Sequence, residues 1–356
     1  MKRSPFALLC ALLLVTLRQR PADPALAAAL ARPGIDWPRL VTLSGVHLLT
    51  PALAPALGDP ALRPHVPEDL LFYLDAMLTA ATERNLALRH QLEEVAACLN
   101  AVEVIPVVLK GGARLIDDLW PDPSLRFMHD LDLLVPEQAL PACRSRLAQA
   151  GWRPVDDGVD HGDHHLVLVH PRAPARIELH PAALPAPHAD LLPAARMLAR
   201  AVPTAIGTAL VALPAAEDQL VHLVAHGMLH HQFLRNGRFL LRDVVERHLL
   251  AARAGPAVVA AARERFAAAG AGLAWDVAAE LDARCLGGDR VRRSRAAQAL
   301  ALRMLLQQRG PAAMLVLGPL GWLAASLCAD QPGDRTVWAP RSLTGRLTMF
   351  YRKTRW

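Results

Sequence analysis

The chain has 356 residues, of which 53% are hydrophobic, 20% charged and only 4% aromatic, and its formal net charge is +6. That length and hydrophobic content exclude a disordered chain and suffice for two cores, while the positive excess, partly lodged in the tail, is too small to indicate a nucleic-acid partner. Five cysteines, Cys10, Cys98, Cys143, Cys285 and Cys328, are scattered and odd in number, which argues against a disulfide framework or a zinc site and favours a reducing compartment.

Met1-Lys2-Arg3 followed by the apolar run from Phe6 to Val15 has the charge and length of a secretory signal, but the run ends at Arg18-Gln19-Arg20 without a small-x-small cleavage site. We read it as a buried N-terminal helix. Residues 21 to 66 are rich in Ala and Pro, with breaks at Pro33, Pro38, Pro51, Pro55 and Pro60, and carry no motif. From Glu68 to Val102 apolar residues recur at helical spacing, predicting one or two helices that lead into a first strand.

That strand is Val107-Val108-Leu109. It runs into Lys110-Gly111-Gly112 and then a segment of helical spacing from Ala113 to Leu119. Two glycines at a strand-to-helix turn allow positive φ and close backbone approach, and the free N–H groups of a helix start suit an anion such as phosphate. After Trp120-Pro121-Asp122-Pro123, the run Arg126 to Val135 predicts a second strand. Its alternation puts Asp130 and Asp132 on one face and Leu131, Leu133 and Val135 on the other. Two carboxylates in one small volume call for a cation, and oxygen-only ligation suits a hard ion such as Mg²⁺; taken alone, an Asp-x-Asp is equally a strand whose aspartates face water.

Pro136 to Ala150 reads as a helix closed by Gly151-Trp152. The polar segment from Asp156 to His165 holds Asp160, His161, Asp163, His164 and His165 at irregular spacing, a solvated turn rather than a metal site, from which His164 or His165 would reach substrate. Leu166 to His170 and Ala175 to His180 predict two strands joined by Pro171-Arg172-Ala173-Pro174. Glu178 and His180 share one face of the second, so Glu178 approaches the aspartate pair if the two strands are neighbours.

Beyond Pro214 the pattern is helical. Glu217 to His231 places His222, His226 and His230 along one helix face, and Asp243 follows. One reading is a His/Asp metal centre of the phosphohydrolase type; the other, which we favour, is a helix packed on the active-site cleft whose histidines are structural or touch substrate. Further Ala-rich helices between residues 251 and 309 carry a basic cluster at Arg290, Arg292, Arg293 and Arg295. Pro311 to Ala329 is uncharged and nearly long enough to span a bilayer, but Gly318-Pro319 and Gly321 interrupt it. With the basic, aromatic tail from Arg341 to Trp356 it offers a peripheral contact to an anionic membrane; a core helix and a solvated tail is the simpler reading. Rossmann and nucleophilic-triad motifs are absent.

The ordered set of a glycine pair at a helix start, Asp-x-Asp on a strand and one acidic residue on a later strand resembles the nucleotidyltransferase superfamily with the DNA polymerase β fold. More narrowly, Leu109-Lys110-Gly111-Gly112, Arg126 ahead of Asp130-Leu131-Asp132, and Ile177-Glu178-Leu179-His180 are similar to the bacterial group called uncharacterised nucleotidyltransferases, over roughly residues 85 to 245. The resemblance implies that Gly111 and Gly112 hold a nucleoside triphosphate, that Asp130 and Asp132 bind Mg²⁺, and that Glu178 stands for the third acidic residue, as metal ligand or as base. Lys110 and Arg126 are the candidates to neutralise phosphate oxygens, and His180, His226 and Asp243 to contact substrate. Two departures stand out: a long interval from Gly112 to Asp130, and Glu178 where Asp is usual.

The expected fold is therefore α+β, a small mixed β-sheet nucleotidyltransferase core flanked by helices with a mostly helical C-terminal domain. The expected divisions are an N-terminal helical region (1–84), a catalytic domain (85–214), a helical domain (215–310) and an apolar stretch with basic tail (311–356). The expected function is Mg²⁺-dependent transfer of a nucleoside monophosphate from an NTP to an unidentified acceptor hydroxyl or phosphate, in the cytoplasm. The alternatives are a metal phosphohydrolase centred on His222, His226, His230 and Asp243, and a noncatalytic nucleotide-binding or membrane-associated accessory protein.

Overall fold

Among the described residues, seven strands join in one mixed sheet in the order β3-β4-β5-β2-β1-β7-β6. They are β1 (Val107–Val108), β2 (Asp130–Leu134), β3 (Arg153–Pro154), β4 (Leu166–Val169), β5 (Arg176–His180), β6 (Val202–Ile206) and β7 (Ala209–Leu213). The computed structural model describes residues 4–18, 20–155, 166–288 and 294–308. The His/Asp loop at 156–165, Arg290, Arg292 and Arg293, and the 311–356 stretch with its membrane contact lie outside them. The architecture is α+β as expected, with helices on the sheet and a helical C-terminal region.

The centre of the sheet is where the sequence pattern is strongest. β2 runs antiparallel to β1 and parallel to β5, pairing Asp130 with Arg176, Asp132 with Glu178, and Leu134 with His180. The period-two alternation then decides each face. Leu131, Leu133, Ile177 and Leu179 pack with Leu88, Leu92, Val95 and Leu99 of the helix Glu68–Asn100. Leu134 and Val107, on the other face, join a second cluster that includes Leu220, Val221 and Val224 of the helix Ala216–Ala225. Asp130, Asp132, Glu178 and His180 sit on this second face.

The helix Glu68–Asn100 also fixes the strand ends. Glu68 and Asp69 lie in its first turn, where acidic side chains favour the dipole. Further along, Asn85 donates to the carbonyls of Pro123 and Arg126, and Arg84 to those of Met128, His129 and Pro174. Gln91 both donates to and accepts from the Ala175 backbone. The entries to β2 and β5 are thus pinned by one rigid element.

The N-terminal run forms the helix Pro5–Thr16, capped by the Ser4 hydroxyl, with Leu8, Leu9, Leu12 and Leu13 buried. A helix apolar on every side belongs inside a core. Among the described residues no helix is long and apolar enough to cross a membrane. Residues of this helix share the second cluster with residues as distant in sequence as Met304.

Part of that joint is His47, which accepts from the Leu241 N–H through Nδ1 at 3.1 Å and packs between Phe6 and Phe239. Burial pushes its pKa down to about 4, against about 6.5 when exposed. Between those values the unfolded chain binds a proton that the folded one refuses, so stability falls as pH drops through that window. The expected loss at this residue is about 3 kcal/mol between pH 7 and pH 4. Urea denaturation of the native chain and His47→Gln across that range checks it: the native curve should lose that much more stability than the variant.

Three local features depart from the sequence reading. The helix expected over Ala113 to Leu119 is instead one short 3-10 helix, Lys110–Leu115. The left-handed residue of the turn is Lys110, at φ 50°, not either glycine. A helix start with many free N–H groups is therefore not what the glycine pair builds. The third is the hairpin β6–β7, which the sequence reading did not contain, and which puts β7 parallel to β1.

Candidate active site

The strand register brings the acidic residues together. Asp132 is 3% exposed, and one of its oxygens, Oδ1, accepts from Lys110 Nζ at 2.7 Å and contacts His180 Nε2 at 2.8 Å. Burial alone would raise this carboxyl, but the Lys110 ammonium, with the His180 contact, outweighs it and holds Asp132 well below the usual carboxylate range. Glu178 lies opposite Asp132, with Oε2 3.7 Å from His180 Nε2 and Oε1 3.0 Å from Arg176. Its pKa is raised, first by burial and then by the Asp132 charge. Donor atoms of Asp132, Glu178 and His180 all lie within 4.8 Å of one another, a spacing that could hold a metal ion. Asp130 is set outward at the strand start, about a third exposed, with Arg176 at 3.7 Å.

The glycine pair serves close approach. A Cβ on Gly111 would lie 3.0 Å from three atoms of the Arg126 guanidinium, and one on Gly112 would lie 2.8 Å from Val108 Cγ1. Arg126 itself is buried, donating to Glu246 and to the Phe127 carbonyl. Arg114, also buried, is held by Asp117 and Gln219. Glu246, Arg114 and Gln219 were not anticipated; nothing local in the sequence marks them, because their partners are distant.

All of this opens on one cleft of about 520 Å³. Its walls include Lys110, Gly111, Arg126, Asp130, Asp132, Glu178 and His180, and facing residues His222, His226, Arg242 and Asp243. Gly112 is not among the lining residues. The histidine helix and the carboxylate strands, separate in sequence, therefore border the same space. After Ala225 the helix passes into a π-turn, His226–His230, a distortion that is frequent at functional sites. The turn clusters the rings: His226 lies 5.7 Å from His222, 5.3 Å from His230 and 4.3 Å from His231.

Burial and charge favour the neutral form of three of these histidines. Burial, then the Lys110 charge, pushes His222 down to about 3, and the same two causes lower His226 and His231. Asp243 pairs with Arg242 at 3.1 Å. Among the described residues the only group of three or more metal-type side chains with ligand spacing is Asp132, Glu178 and His180, so His222, His226, His230 and Asp243 do not assemble a metal centre of their own. Residues the sequence reading passed over also line the site, among them Arg176, His231 and Arg242. Arg176 was legible, since it shares the strand face of Glu178 and His180.

A family model described as uncharacterised nucleotidyltransferase matches residues 33–287, a longer span than the motif-bearing segment. No curated protein and no solved structure matches the chain.

Proposed function

We propose, for a chain that belongs to the uncharacterised nucleotidyltransferase family, that the cleft transfers a nucleoside monophosphate from an NTP to an acceptor hydroxyl or phosphate with the help of Mg²⁺ or a related divalent ion. The observation that carries this reading is the parallel register that sets Glu178 beside Asp132 and puts His180 Nε2 against both. That donor set fits a divalent cation: two buried carboxylates and an imidazole within ligand distance, on a rigid pair of strands. An ion bound there would neutralise charge developing on the phosphoryl oxygens and lower the pKa of the acceptor hydroxyl.

The chain's own residues then divide the work. Asp132 and Glu178 would hold the ion from inside the cleft, and the more exposed Asp130 would meet an ion that arrives with the triphosphate. Lys110 is 27% exposed and anchored at the Asp132 oxygen, within reach of a phosphate that enters above it. Gly111 lets the Arg126 guanidinium pack under the turn and so holds Lys110 in place. On the opposite wall His226 and Asp243 line the space left for base or acceptor.

The test is calorimetric titration with ATP, CTP, GTP and UTP, with and without Mg²⁺, followed by a pyrophosphate-release screen against candidate acceptors. Selective binding that requires the ion and is lost in the Asp130→Asn/Asp132→Asn double variant is expected. Nucleotide binding unchanged by that double substitution would remove the site from these strands.

A further inference from the structure

The identity of the ion can be argued beyond that reading, on which the following rests. We propose that the protein-held ion is bound by a mixed oxygen and nitrogen set, Asp132, Glu178 and His180, and that this chain therefore selects Mn²⁺ over Mg²⁺.

The sequence suggested an all-oxygen site, with His180 as a substrate contact. The fold places His180 differently. Residues 178 and 180 of β5 point to one face, and the register sets them beside Asp132 and Leu134 of β2, so the imidazole leans past Leu134 toward the carboxylates. Its Nε2 comes to 2.8 Å from one Asp132 oxygen and 3.7 Å from a Glu178 oxygen, and the ligand-spaced group contains His180 and not Asp130. All three side chains are nearly buried, at 4%, 10% and 12% exposure, so the surrounding protein holds them in place. The Lys110 ammonium sits on the same Asp132 oxygen, so an ion would have to share that carboxylate with it.

A second imidazole lines the same space. His222 Nε2 is buried without a hydrogen-bond partner in the structure. A buried unpaired imidazole nitrogen is costly unless something bound there uses it. His222 is outside the ligand-spaced group, so this nitrogen is not counted among the ion's ligands.

Ligand chemistry then discriminates between ions. Mg²⁺ demands near-ideal octahedral oxygen ligation and gives up its waters reluctantly. Imidazole ligation suits first-row transition ions more than Mg²⁺, and Mn²⁺, the member of that row that shares the carboxylate preference of Mg²⁺, is the one a two-carboxylate, one-imidazole set would take in its place. Replacing the nitrogen by oxygen should shift the balance back toward Mg²⁺.

The experiment is pulsed electron paramagnetic resonance of Mn²⁺ added to the full chain, with Mn²⁺ and Mg²⁺ affinities measured by competition. Bound Mn²⁺ should show the echo modulation of a directly coordinated ¹⁴N. That modulation should vanish in His180→Asp and persist in His222→Gln. The Mn²⁺ to Mg²⁺ affinity ratio should fall at least about tenfold in His180→Asp. Labelling the native chain with ¹⁵N-histidine, which needs no substitution, should replace the ¹⁴N pattern. Absence of nitrogen coupling in the native chain, or its survival in His180→Asp, overturns the proposal while leaving the transferase reading intact. Mn²⁺ binding that is absent, or indifferent to Asp132→Asn, overturns both.

Discussion

Asp132→Asn is expected to abolish ion binding in the absence of nucleotide and to lower the rate of nucleotidyl transfer by about 10³-fold or more, the scale set by losing several kcal/mol of transition-state charge stabilisation. Asp130→Asn should lower the rate as well, yet leave ion binding without nucleotide nearly unchanged. The difference follows from position. Asp132 is buried, and its Oδ1 meets both Lys110 and His180 at hydrogen-bond distance. An amide there would leave the Lys110 ammonium and the imidazole facing a neutral dipole. Asp130 is partly open to water and shares its nearest charge, Arg176, with Glu178. Calorimetry with the ion alone, then with ion and nucleotide, separates the two effects from the transfer rate. Equal loss of ion binding in both variants would mean that the pair acts as one ligand set at the mouth of the cleft.

The parts of this site that were legible in the sequence are those governed by a short period. Alternation along β2 and β5 fixed which side chains share a face, and so Asp130, Asp132, Glu178 and His180 were grouped correctly before any register was known. The four-residue spacing of His222, His226 and His230 likewise placed them on the cleft side of one helix. What was not legible depends on chain-distant partners. The glycine pair looked like a phosphate turn, but its close contacts are Arg126 and Val108, and the left-handed residue is Lys110. Nothing within a few residues of Lys110 announces that. The β6–β7 hairpin was missed for a different reason: Ala-rich strands around Gly207-Thr208 have weak hydrophobic contrast, so the alternation is faint. Asn85, Arg84 and Gln91, which pin the entries to β2 and β5, look like ordinary polar positions of a long helix until the strands they serve are in place.

The second large effect concerns Arg126, which sequence reasoning assigned to phosphate. Its guanidinium lies beneath Gly111, bonded to Glu246, and both side chains are almost wholly buried. Removing one partner of such a pair strands a charge in the interior and costs about 3–5 kcal/mol. The two single variants should differ. In Arg126→Met the remaining Glu246 still has Arg114 and Arg242 in its field, so the loss should lie near the lower figure. In Glu246→Leu, Arg126 keeps the Phe127 carbonyl and the weaker influence of Asp243 but has no adjacent carboxylate and is opposed by Arg242, so the loss should lie near the upper one. Replacing both by apolar residues of similar size should recover most of the stability, because desolvation offsets much of what the pair contributes. Urea denaturation of the four chains completes the double-mutant cycle. Nucleotide binding by the double variant then reports on the turn alone: with the pair gone but the fold restored, Gly111 loses the surface it packs on, and Lys110 is no longer held at Asp132. If Arg126→Met instead left stability unchanged while destroying nucleotide affinity, the guanidinium would be a phosphate ligand, and Glu246 only its resting partner.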